Sequence, residues 1–308
     1  MKRFFTWKCL LFGLLVVHVA FFLKMKHYLH RKSEHKQALS EVELRQNYRK
    51  SNLHNGCLRL GLHKPMVTQT DDIRQMLQQV KLLYSDKYKF LVCEIPKCGC
   101  SSIKKLLLIT EGIVNETNPQ AVKSWLAHEL GDKHLDLKNI KNVTEIQKRL
   151  DTYQKLIIVR DPLYRLLSAY INKLEHEYPW NRGFAKISKY IHQQFVKNET
   201  EKLASFGEFL SYLTEENEYD RHWELYHKLC LPCSISYDYI AHIETIGDDM
   251  VDFMDKLAIT NITFPRNYEK SKQTNTDTFE RYIGEVPENL VKGIRKKYKT
   301  DFDLFGFK

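Results

Sequence analysis

The stretch CEIPKCGCSSIKKLLL, residues 93–108, places a lysine, two serines and a glycine in one short turn. The apolar residues before the turn are typical of a buried strand, and the segment after it is typical of a helix. The residues of the turn that could contact a ligand are Pro96, Lys97, Cys98, Gly99, Cys100, Ser101 and Ser102. A strand, a turn and a helix N-terminus in this order form an anion-binding loop. The Gly-x4-Gly-Lys-Ser/Thr spacing of nucleotide triphosphatases is absent, so we expect a different phosphate-bearing ligand.

A second strand–turn–helix unit lies at residues 154–174, QKLIIVRDPLYRLLSAYINKL. Its run KLIIV is continuously apolar, which favours a strand buried in a parallel sheet. Asp161 followed by Pro162 indicates a helix start, with Asp at the N-cap and Pro in the first turn. Leucines at helical spacing then predict an amphipathic helix. The opposite side of that helix carries Arg165, Ser168 and Asn172.

Packing alone does not explain Arg160 in this second unit. It follows a buried strand and precedes a helix N-terminus, a position where a guanidinium binds an anion. In open parallel sheets, ligands bind at the carboxyl ends of the strands, so we expect Lys97 and Arg160 at the same edge. The sequence therefore predicts a ligand with two separated phosphate-type groups.

These motifs resemble those of a known family. IPKCGCSSIKKLL is similar to the 5′-phosphosulfate loop of the Golgi carbohydrate sulfotransferases, and IIVRDPLYRLLSAYINKL is similar to their 3′-phosphate motif. The closest group sulfates chondroitin and dermatan at O4 of GalNAc, and glucuronic acid on neural glycans. The resemblance continues through residues 205–213, 220–245 and 298–307, and it covers nearly all of the chain from residue 81 onward.

The first loop keeps the lysine and one cysteine of the family pattern and differs around them. The family usually has Val, Ala, Cys, Thr, Asn and Trp after the lysine, where this chain has Cys98, Gly99, Cys100, Ser101, Ser102 and Ile103. The retained Lys97 implies that the loop keeps its chemistry. The contacts of the family's Thr, Asn and Trp are not carried over.

The resemblance implies a donor, 3′-phosphoadenosine 5′-phosphosulfate (PAPS), which has a phosphate group at each end of its ribose and a labile sulfuryl group. Lys97 would neutralise the leaving phosphate, with the backbone and hydroxyls of residues 98–102 around it. Arg160 and Ser168 would hold the 3′-phosphate. Positioning and charge stabilisation dominate transfers of this kind, so no metal is expected. The implied fold is α/β, a mainly parallel sheet of four or five strands flanked by helices and similar to nucleotide kinases.

An acceptor hydroxyl loses its proton as the sulfuryl group arrives, so we expect a general base near the transferred group. His134 lies in AHELGDKHLDLKNI, where distant relatives that sulfate uronic acid at O2 place their catalytic histidine. His222 lies in the DRHW motif of the closer group. His134 is the preferred candidate and His222 the alternative, with Glu129 and Asp220 as further candidates. For either histidine, a structural role stays open.

The cysteines are expected to form structural disulfides. Cys230 and Cys233 form a CxxC, but a zinc site would need a second pair at suitable spacing, which the sequence lacks. A redox CxxC would need a thioredoxin-like setting. The pairing cannot be read from sequence. Cys98, inside the first loop, has no explanation in the sequence, and a free thiol is one interpretation.

The N-terminal part of the chain predicts membrane attachment. Residues 4–23 are apolar except for Lys8 and His18, and about 20 such residues span a bilayer. No small-x-small cleavage site follows, which favours an uncleaved signal-anchor over a cleaved signal peptide. The predicted organisation is a cytosolic tail at 1–3, a transmembrane signal-anchor at 4–23, a lumenal stem at 24–80 and a catalytic domain at 81–308.

Sequons and charge indicate the compartment and the partners. The N-glycosylation sequons beyond the anchor begin at Asn115, Asn142, Asn198 and Asn261. Their position favours a type II protein of the Golgi membrane with a lumenal catalytic domain. The net charge of +10 comes mostly from residues 1–50, which hold eleven Lys and Arg against three Glu. Charge therefore gives no reason to expect a nucleic-acid partner.

The predicted function is PAPS-dependent sulfation of a glycan hydroxyl, at O4 of GalNAc in chondroitin- or dermatan-type glycosaminoglycan. Glucuronic acid or GalNAc on N-glycans is the alternative acceptor. A nucleotide kinase or triphosphatase is the rival enzyme, and its glycine-rich loop is absent. An inactive lumenal glycan-binding protein on the same fold is the rival from another class. Acceptor choice is expected in residues 175–204, whose basic residues are Arg182, Lys186, Lys189, Lys197 and Lys202.

Overall fold

The computed structural model describes residues 23–26, 41–63, 70–197, 200–215, 220–265 and 274–308. The chain divides into two compact units, residues 1–45 and residues 46–308. The described residues of the first unit are helical. All the features discussed below belong to the second unit.

The predicted membrane anchor lies almost entirely outside this description. The tail at 1–3 and residues 4–22 of the anchor are not among the described residues, nor is Asn198. Within the described ranges, the structure has no helix of the length and apolar character that crossing a bilayer requires.

The second unit is built around a four-stranded sheet with the order β1-β2-β3-β4. The strands are β1 (Leu82–Ser85), β2 (Phe90–Cys93), β3 (Gln154–Val159) and β4 (Tyr239–His242). Strands β2, β3 and β4 are parallel, and β1 pairs antiparallel with β2. The predicted α/β class with a mainly parallel sheet is confirmed.

Helices cover both faces of the sheet. They are α1 (41–59), α2 (Thr70–Gln79), α3 (Cys100–Thr110), α4 (Ser124–His134), α5 (Val143–Thr152), α6 (Pro162–Lys173), α7 (Arg182–Phe195), α8 (Phe206–Glu215), α9 (Tyr226–Cys230), α10 (Ile246–Lys256), α11 (Thr276–Gly284), α12 (Glu288–Lys297) and α13 (Lys299–Phe305). Short 3-10 turns lie at Leu137–Asn139 and Ile243–Thr245.

Alternate residues of each strand point to opposite faces, so the sheet has two apolar layers. Ile157 of β3 is buried in a cluster that includes residues of α1, α2 and α5. Its neighbour Ile158 is buried in a cluster that includes residues of α3 and α10. A third cluster joins α6, α7, α8, α12 and α13. The continuous apolar run of β3 is thus explained by burial on both sides, as predicted.

Some residues of the predicted stem at 24–80 pack against the sheet. Leu53, Ile73 and Leu77 are buried in the same cluster as Ile157 of the sheet. Polar residues outnumber apolar ones in this part of the chain, but helical spacing gathers the apolar ones on one face. The compact unit that contains the sheet begins at residue 46.

A buried ion pair also fastens α1 to the sheet. The Arg49 guanidinium donates to the Ile240 carbonyl at 2.9 Å and to Asp249 Oδ2 at 2.8 Å. Gln46 bonds the same strand residue through both its amide nitrogen and its amide oxygen. These contacts join residues almost 200 positions apart in the chain, which is why local pattern did not reveal them.

Two disulfides hold the unit together, Cys57–Cys233 and Cys93–Cys230. The expectation of structural disulfides is confirmed, and each cysteine of the CxxC pairs with a distant partner. Cys98 and Cys100 are free thiols.

Candidate active site

Residues 96–102, termed the donor loop, connect β2 to the first turn of α3. The backbone enters the left-handed region at Lys97, with φ 69°, and again at Gly99, with φ 76°. Glycine adopts this region readily, whereas a lysine is held there by its surroundings. No side chain caps α3, and the N–H groups of residues 99–102 have no acceptor in the described part of the chain. These N–H groups, at the positive end of a helix dipole, form a set of donors for an anion.

Lys97 is half-buried in this loop, and its ammonium group has no hydrogen-bond acceptor among the described residues. Burial lowers the pKa of Lys97 from 10.5 to about 8; the Cys100 thiol acts against this shift, and the positive charges of Lys173 and Arg160 add to it. The three cations therefore share one site. A bound anion would stabilise the charged form of each of them.

Arg160 lies at the same edge of the sheet as the donor loop. Since β2 and β3 are parallel neighbours, the chain leaves both strands on the same side, as the sequence predicted. The Arg160 guanidinium donates to the Thr274 carbonyl at 2.7 Å, and its Cζ lies 5.8 Å from the ring centroid of Tyr164. A guanidinium has several donors in a planar fork, so donors are left for an anion.

The N-terminus of α6 is closed by its own residues. The Asp161 carboxylate accepts hydrogen bonds from the N–H groups of Leu163, at 2.8 Å, and Tyr164, at 3.3 Å, and Pro162 has no N–H to offer. The predicted helix start is therefore confirmed. An anion beside Arg160 would therefore be held by side chains and not by the N–H groups of this helix. The half-buried Ser168 hydroxyl has no hydrogen-bond partner among the described residues.

Arg165, which helical spacing placed on the polar side of α6, is only 1% exposed. Its guanidinium donates to the carbonyls of Pro96 at 3.1 Å, Glu224 at 2.6 Å and Arg221 at 2.9 Å. It also stacks on the Tyr226 ring, with Cζ 4.8 Å from the centroid. One buried side chain thus fixes the donor loop, α6 and the DRHW segment relative to each other. Helical spacing predicts on which side of α6 Arg165 lies, but not which residues pack against that side.

His222 is half-buried at the site. Its Nδ1 lies 2.7 Å from Asp220 Oδ1, so Asp220 holds the protonated nitrogen and leaves the Nε2 lone pair for another group. Burial lowers the pKa of His222; Asp220 counteracts this shift, and the charges of Lys173 and Lys97 add to it. A neutral histidine oriented by a carboxylate is suited to general-base chemistry.

Lys173, at the end of α6, belongs to the same cluster, although sequence reasoning did not single it out. Burial lowers the pKa of Lys173, and the negative charge of Asp220 acts against that shift. Its Nζ lies 4.7 Å from the Phe184 ring centroid, and the Phe184 ring meets the His222 ring edge-on at 5.1 Å between centroids. Only the fold reveals this cluster, because Phe184 lies in the next helix.

The structure does not bring His134 or Glu129 to the donor loop. Both are exposed residues of α4. The histidine of α4 that reaches the loop is His128, whose Nε2 lies 2.9 Å from Ser101 Oγ. A catalytic role of His134 stays a prediction.

The two free thiols of the donor loop, Cys98 and Cys100, are poor nucleophiles. Cys98 is buried, with its Sγ 3.6 Å from the Tyr226 hydroxyl, and burial raises its pKa to about 11. Burial also raises the pKa of Cys100. The Cys98 side chain is buried in the core cluster and its N–H donates to the Ile95 carbonyl, although the sequence places Cys98 among the candidate donor contacts.

The chain belongs to the Sulfotransferase family, whose family model matches residues 80–308. This agrees with the fold and with the cations gathered at one edge of the sheet, and it makes the chain a sulfotransferase. The predicted resemblance to the carbohydrate sulfotransferases is confirmed by the relatives found. No solved structure matches the chain at a significant level.

Three relatives show the range of similarity. Carbohydrate sulfotransferase 14 of Mus musculus is 29% identical over 276 residues, 87% of this chain and 70% of that protein. Carbohydrate sulfotransferase 9 of Homo sapiens is 30% identical over 240 residues, 74% of this chain and 53% of that protein. Carbohydrate sulfotransferase 10 of Homo sapiens is 30% identical over 241 residues, 74% of this chain and 67% of that protein. The chain therefore spans only part of each.

Proposed function

We propose that this sulfotransferase transfers the sulfuryl group of PAPS to a hydroxyl of a glycan. The observation that carries the proposal is the shared sheet edge, where the free N–H groups of residues 99–102, Lys97 and Arg160 come together. PAPS fits this edge because it presents two separated phosphate groups to two separated sets of donors. The parallel sheet with its loop after β2 supports the nucleotide-kinase-like arrangement of the family.

The residues have distinct roles in the proposed reaction. Lys97 and the N–H groups of the donor loop stabilise the charge that develops on the leaving phosphate. Arg160 and Ser168 hold the 3′-phosphate. Nε2 of His222 accepts the proton of the acceptor hydroxyl, and Asp220 stabilises the resulting imidazolium. PAPS supplies the activated sulfuryl group.

The proposed acceptor is O4 of GalNAc in chondroitin- or dermatan-type glycosaminoglycan, and the segment 175–204 is proposed to select it. Arg182 and Lys186 are exposed there, which supports contact with an acidic polymer. Lys189, by contrast, pairs with Glu177 at 3.1 Å and Glu201 at 2.7 Å. The basic series of the segment is therefore shorter than its sequence indicates.

A Golgi membrane location with the catalytic unit in the lumen is part of the proposal. Asn115, Asn142 and Asn261 are exposed, so the described sequons are accessible to glycosylation. The disulfides support an oxidising compartment. The anchor at 4–23 would then give a type II orientation.

Transfer from radiolabelled PAPS to desulfated chondroitin, dermatan, heparosan and N-glycans, followed by disaccharide analysis, tests the proposal. We expect label at O4 of GalNAc in chondroitin or dermatan. Lys97→Ala should abolish transfer, and Arg160→Ala should mainly raise the donor KM. Lys292→Ala, at an exposed lysine of α12 far along the chain, is the matched control and should be fully active.

Each outcome bears on a different part of the proposal. Label on heparosan or on glucuronic acid alone would refute the acceptor and leave the sulfotransferase chemistry standing. A fully active Lys97→Ala enzyme would refute the assigned mechanism. Failure of the wild type to bind immobilised 3′,5′-ADP would favour an inactive glycan-binding protein instead.

Substitutions distinguish the catalytic roles of His222 and His134. If His222 is the base, His222→Gln should lower kcat by about 10²- to 10⁴-fold, while His134→Gln should retain kcat. The reverse result would restore His134 as the base and refute the role given to His222.

A further inference from the structure

A cluster of charged side chains that runs from the buried Lys104 and Glu94 to the exposed Asp132 lies next to the donor loop, outside the groups that contact the donor or acceptor in the proposed reaction. At its centre is Lys104 of α3, which has no exposed surface. Its Nζ lies 2.8 Å from Glu94 Oε1 and 3.1 Å from His128 Nδ1, and it also donates to Asp132 Oδ1. Three acceptors therefore surround the three N–H bonds of one ammonium group.

The charges of this cluster are balanced. Lys81 Nζ lies 2.8 Å from Glu94 Oε2 and 2.7 Å from Asp132 Oδ1. Burial alone would raise the pKa of Glu94, but the ammonium groups of Lys104 and Lys81 outweigh burial and lower it. The pKa of Asp132 is lowered by the same two lysines against burial. Two cations thus face two ionised carboxylates around His128.

This arrangement fixes the tautomer of His128. An ammonium group has donors and no lone pair, so the ring nitrogen that faces Lys104 must be an acceptor. Nδ1 therefore carries the lone pair, and the ring hydrogen of the neutral imidazole is on Nε2. Burial and the positive charge of Lys104 lower the pKa of His128, which favours this neutral form.

The tautomer determines the direction of one hydroxyl. The Nε2–H of His128 points at Ser101 Oγ, 2.9 Å away, so the serine oxygen accepts that bond. The hydroxyl hydrogen of Ser101 then has no acceptor in the described part of the chain. It lies in the same turn as the free N–H groups of residues 99–102.

We infer that His128, oriented by Lys104, is a positioning residue that makes the Ser101 hydroxyl a hydrogen-bond donor to the 5′-phosphate of the donor. With the opposite tautomer, Ser101 would donate to the histidine and turn an oxygen lone pair towards the phosphate. The device rests on the proposed function, since it concerns the same donor site. It acts on the 5′ end of the ligand only, because Arg160 and Ser168 hold the other end.

Binding of 3′,5′-ADP and of adenosine 3′-monophosphate to the full chain tests this inference, because only the first ligand has a 5′-phosphate. Ser101→Ala and His128→Leu should each weaken 3′,5′-ADP by about 10- to 100-fold, the range for one hydrogen bond to a charged group. Adenosine 3′-monophosphate should bind unchanged. The double variant Ser101→Ala/His128→Leu should be no weaker than either single variant, because both act through one hydroxyl.

Matched variants separate positioning from packing. His128→Gln keeps an N–H donor and an acceptor in the same side chain and should retain tight 3′,5′-ADP binding, whereas His128→Met, a second non-donor, should repeat the loss of His128→Leu. Lys133→Ala, at an exposed residue of α4, should change nothing. Thermal unfolding without ligand identifies any variant that does not fold.

Two results would overturn the inference. One is unchanged 3′,5′-ADP binding by the folded non-donor variants; the other is an equal loss of affinity for both ligands. If the wild type itself binds neither nucleotide, the proposed function fails and the inference fails with it. If only the role of His128 is wrong, the wild type binds 3′,5′-ADP and the variants bind it equally well.

Discussion

At the scale of single residues, burial tunes the groups of the site in opposite directions. It lowers the pKa of Lys97 to about 8 and lowers the pKa of His222, while it raises the pKa of Cys98 to about 11. Near neutral pH the lysine is therefore charged, the histidine is neutral and the thiol keeps its proton. This combination suits anion binding and proton acceptance without offering a competing nucleophile.

The pKa shifts predict a bell-shaped dependence of kcat/KM on pH. A general base must be neutral, and the pKa of His222 lies below its ordinary value of 6.5, so the acid limb should fall below that pH. Lys97 must be charged, and its pKa is about 8, so activity should decline above about pH 8. Initial rates at low donor concentration between pH 5 and about pH 10 measure both limbs.

Two variants show which residue causes each limb of the pH profile. Lys97→Arg keeps its charge at high pH, so whatever activity it retains should lack the alkaline limb. His222→Gln should lack the acid limb. An alkaline limb that persists in Lys97→Arg would show that another group titrates there.

At the scale of elements, hydrogen bonds from buried side chains hold the loops of the site in place. Arg165 donates to the Pro96 carbonyl of the donor loop, to the Arg221 carbonyl of the DRHW segment and to the Glu224 carbonyl directly after that segment. The donor loop and the segment that carries His222 are therefore both fixed to Arg165 of α6. Removal of the Arg165 guanidinium should therefore displace the donor loop and His222 together.

Arg165→Met should lower the free energy of unfolding by roughly 3 kcal/mol or more, because it leaves buried carbonyls without their donor. It should also lower kcat, since both loops lose their common support. Thermal unfolding and single-turnover rates measure the two effects. Arg59→Ala, at an exposed arginine of α1, is the control; equal stability of the two variants would contradict the role given to Arg165.

The same elements show how far sequence reasoning reaches. The Asp161–Pro162 helix start and the buried run of β3 were predicted correctly, because neighbouring residues decide both. The burial of Arg165 and the contact of His128 with Ser101 were not predicted, because each depends on residues from another element. Lys97 and Arg160 at one edge were predictable because parallel strands impose that geometry.

At the scale of the whole molecule, described residues before position 81 contribute to the core, among them Leu53, Ile73 and Leu77. A chain that begins at residue 81 would expose the buried partners of Leu53, Ile73 and Leu77 and would leave Cys233 without Cys57. We expect such a chain to be secreted poorly and to lack a cooperative unfolding transition, whereas a chain that begins at residue 41 should fold. Equal Tm values for the two chains would contradict this boundary.

Glycosylation gives a second test at this scale. In a secretory cell, N-glycosidase should lower the mass of the protein, and Thr144→Ala should remove the glycan at Asn142 without changing Tm. Asn142→Gln should remove the same glycan and also destabilise by about 1 kcal/mol, because Asn142 Oδ1 caps α5 by accepting from the Thr144 N–H at 2.9 Å. An unchanged mass would refute the proposed lumenal location.

The Cys93–Cys230 disulfide, which spans 137 positions, encloses Lys97, Arg160 and His222 within one covalent ring. A ring cut once is still a single connected molecule. A protease that cleaves only at the exposed Lys197, between α7 and α8, should therefore yield a two-chain enzyme that runs as one species without reductant and as two with it. Its donor site should survive the cut, because the disulfide keeps the C-terminal fragment joined to strand β2 of the N-terminal fragment.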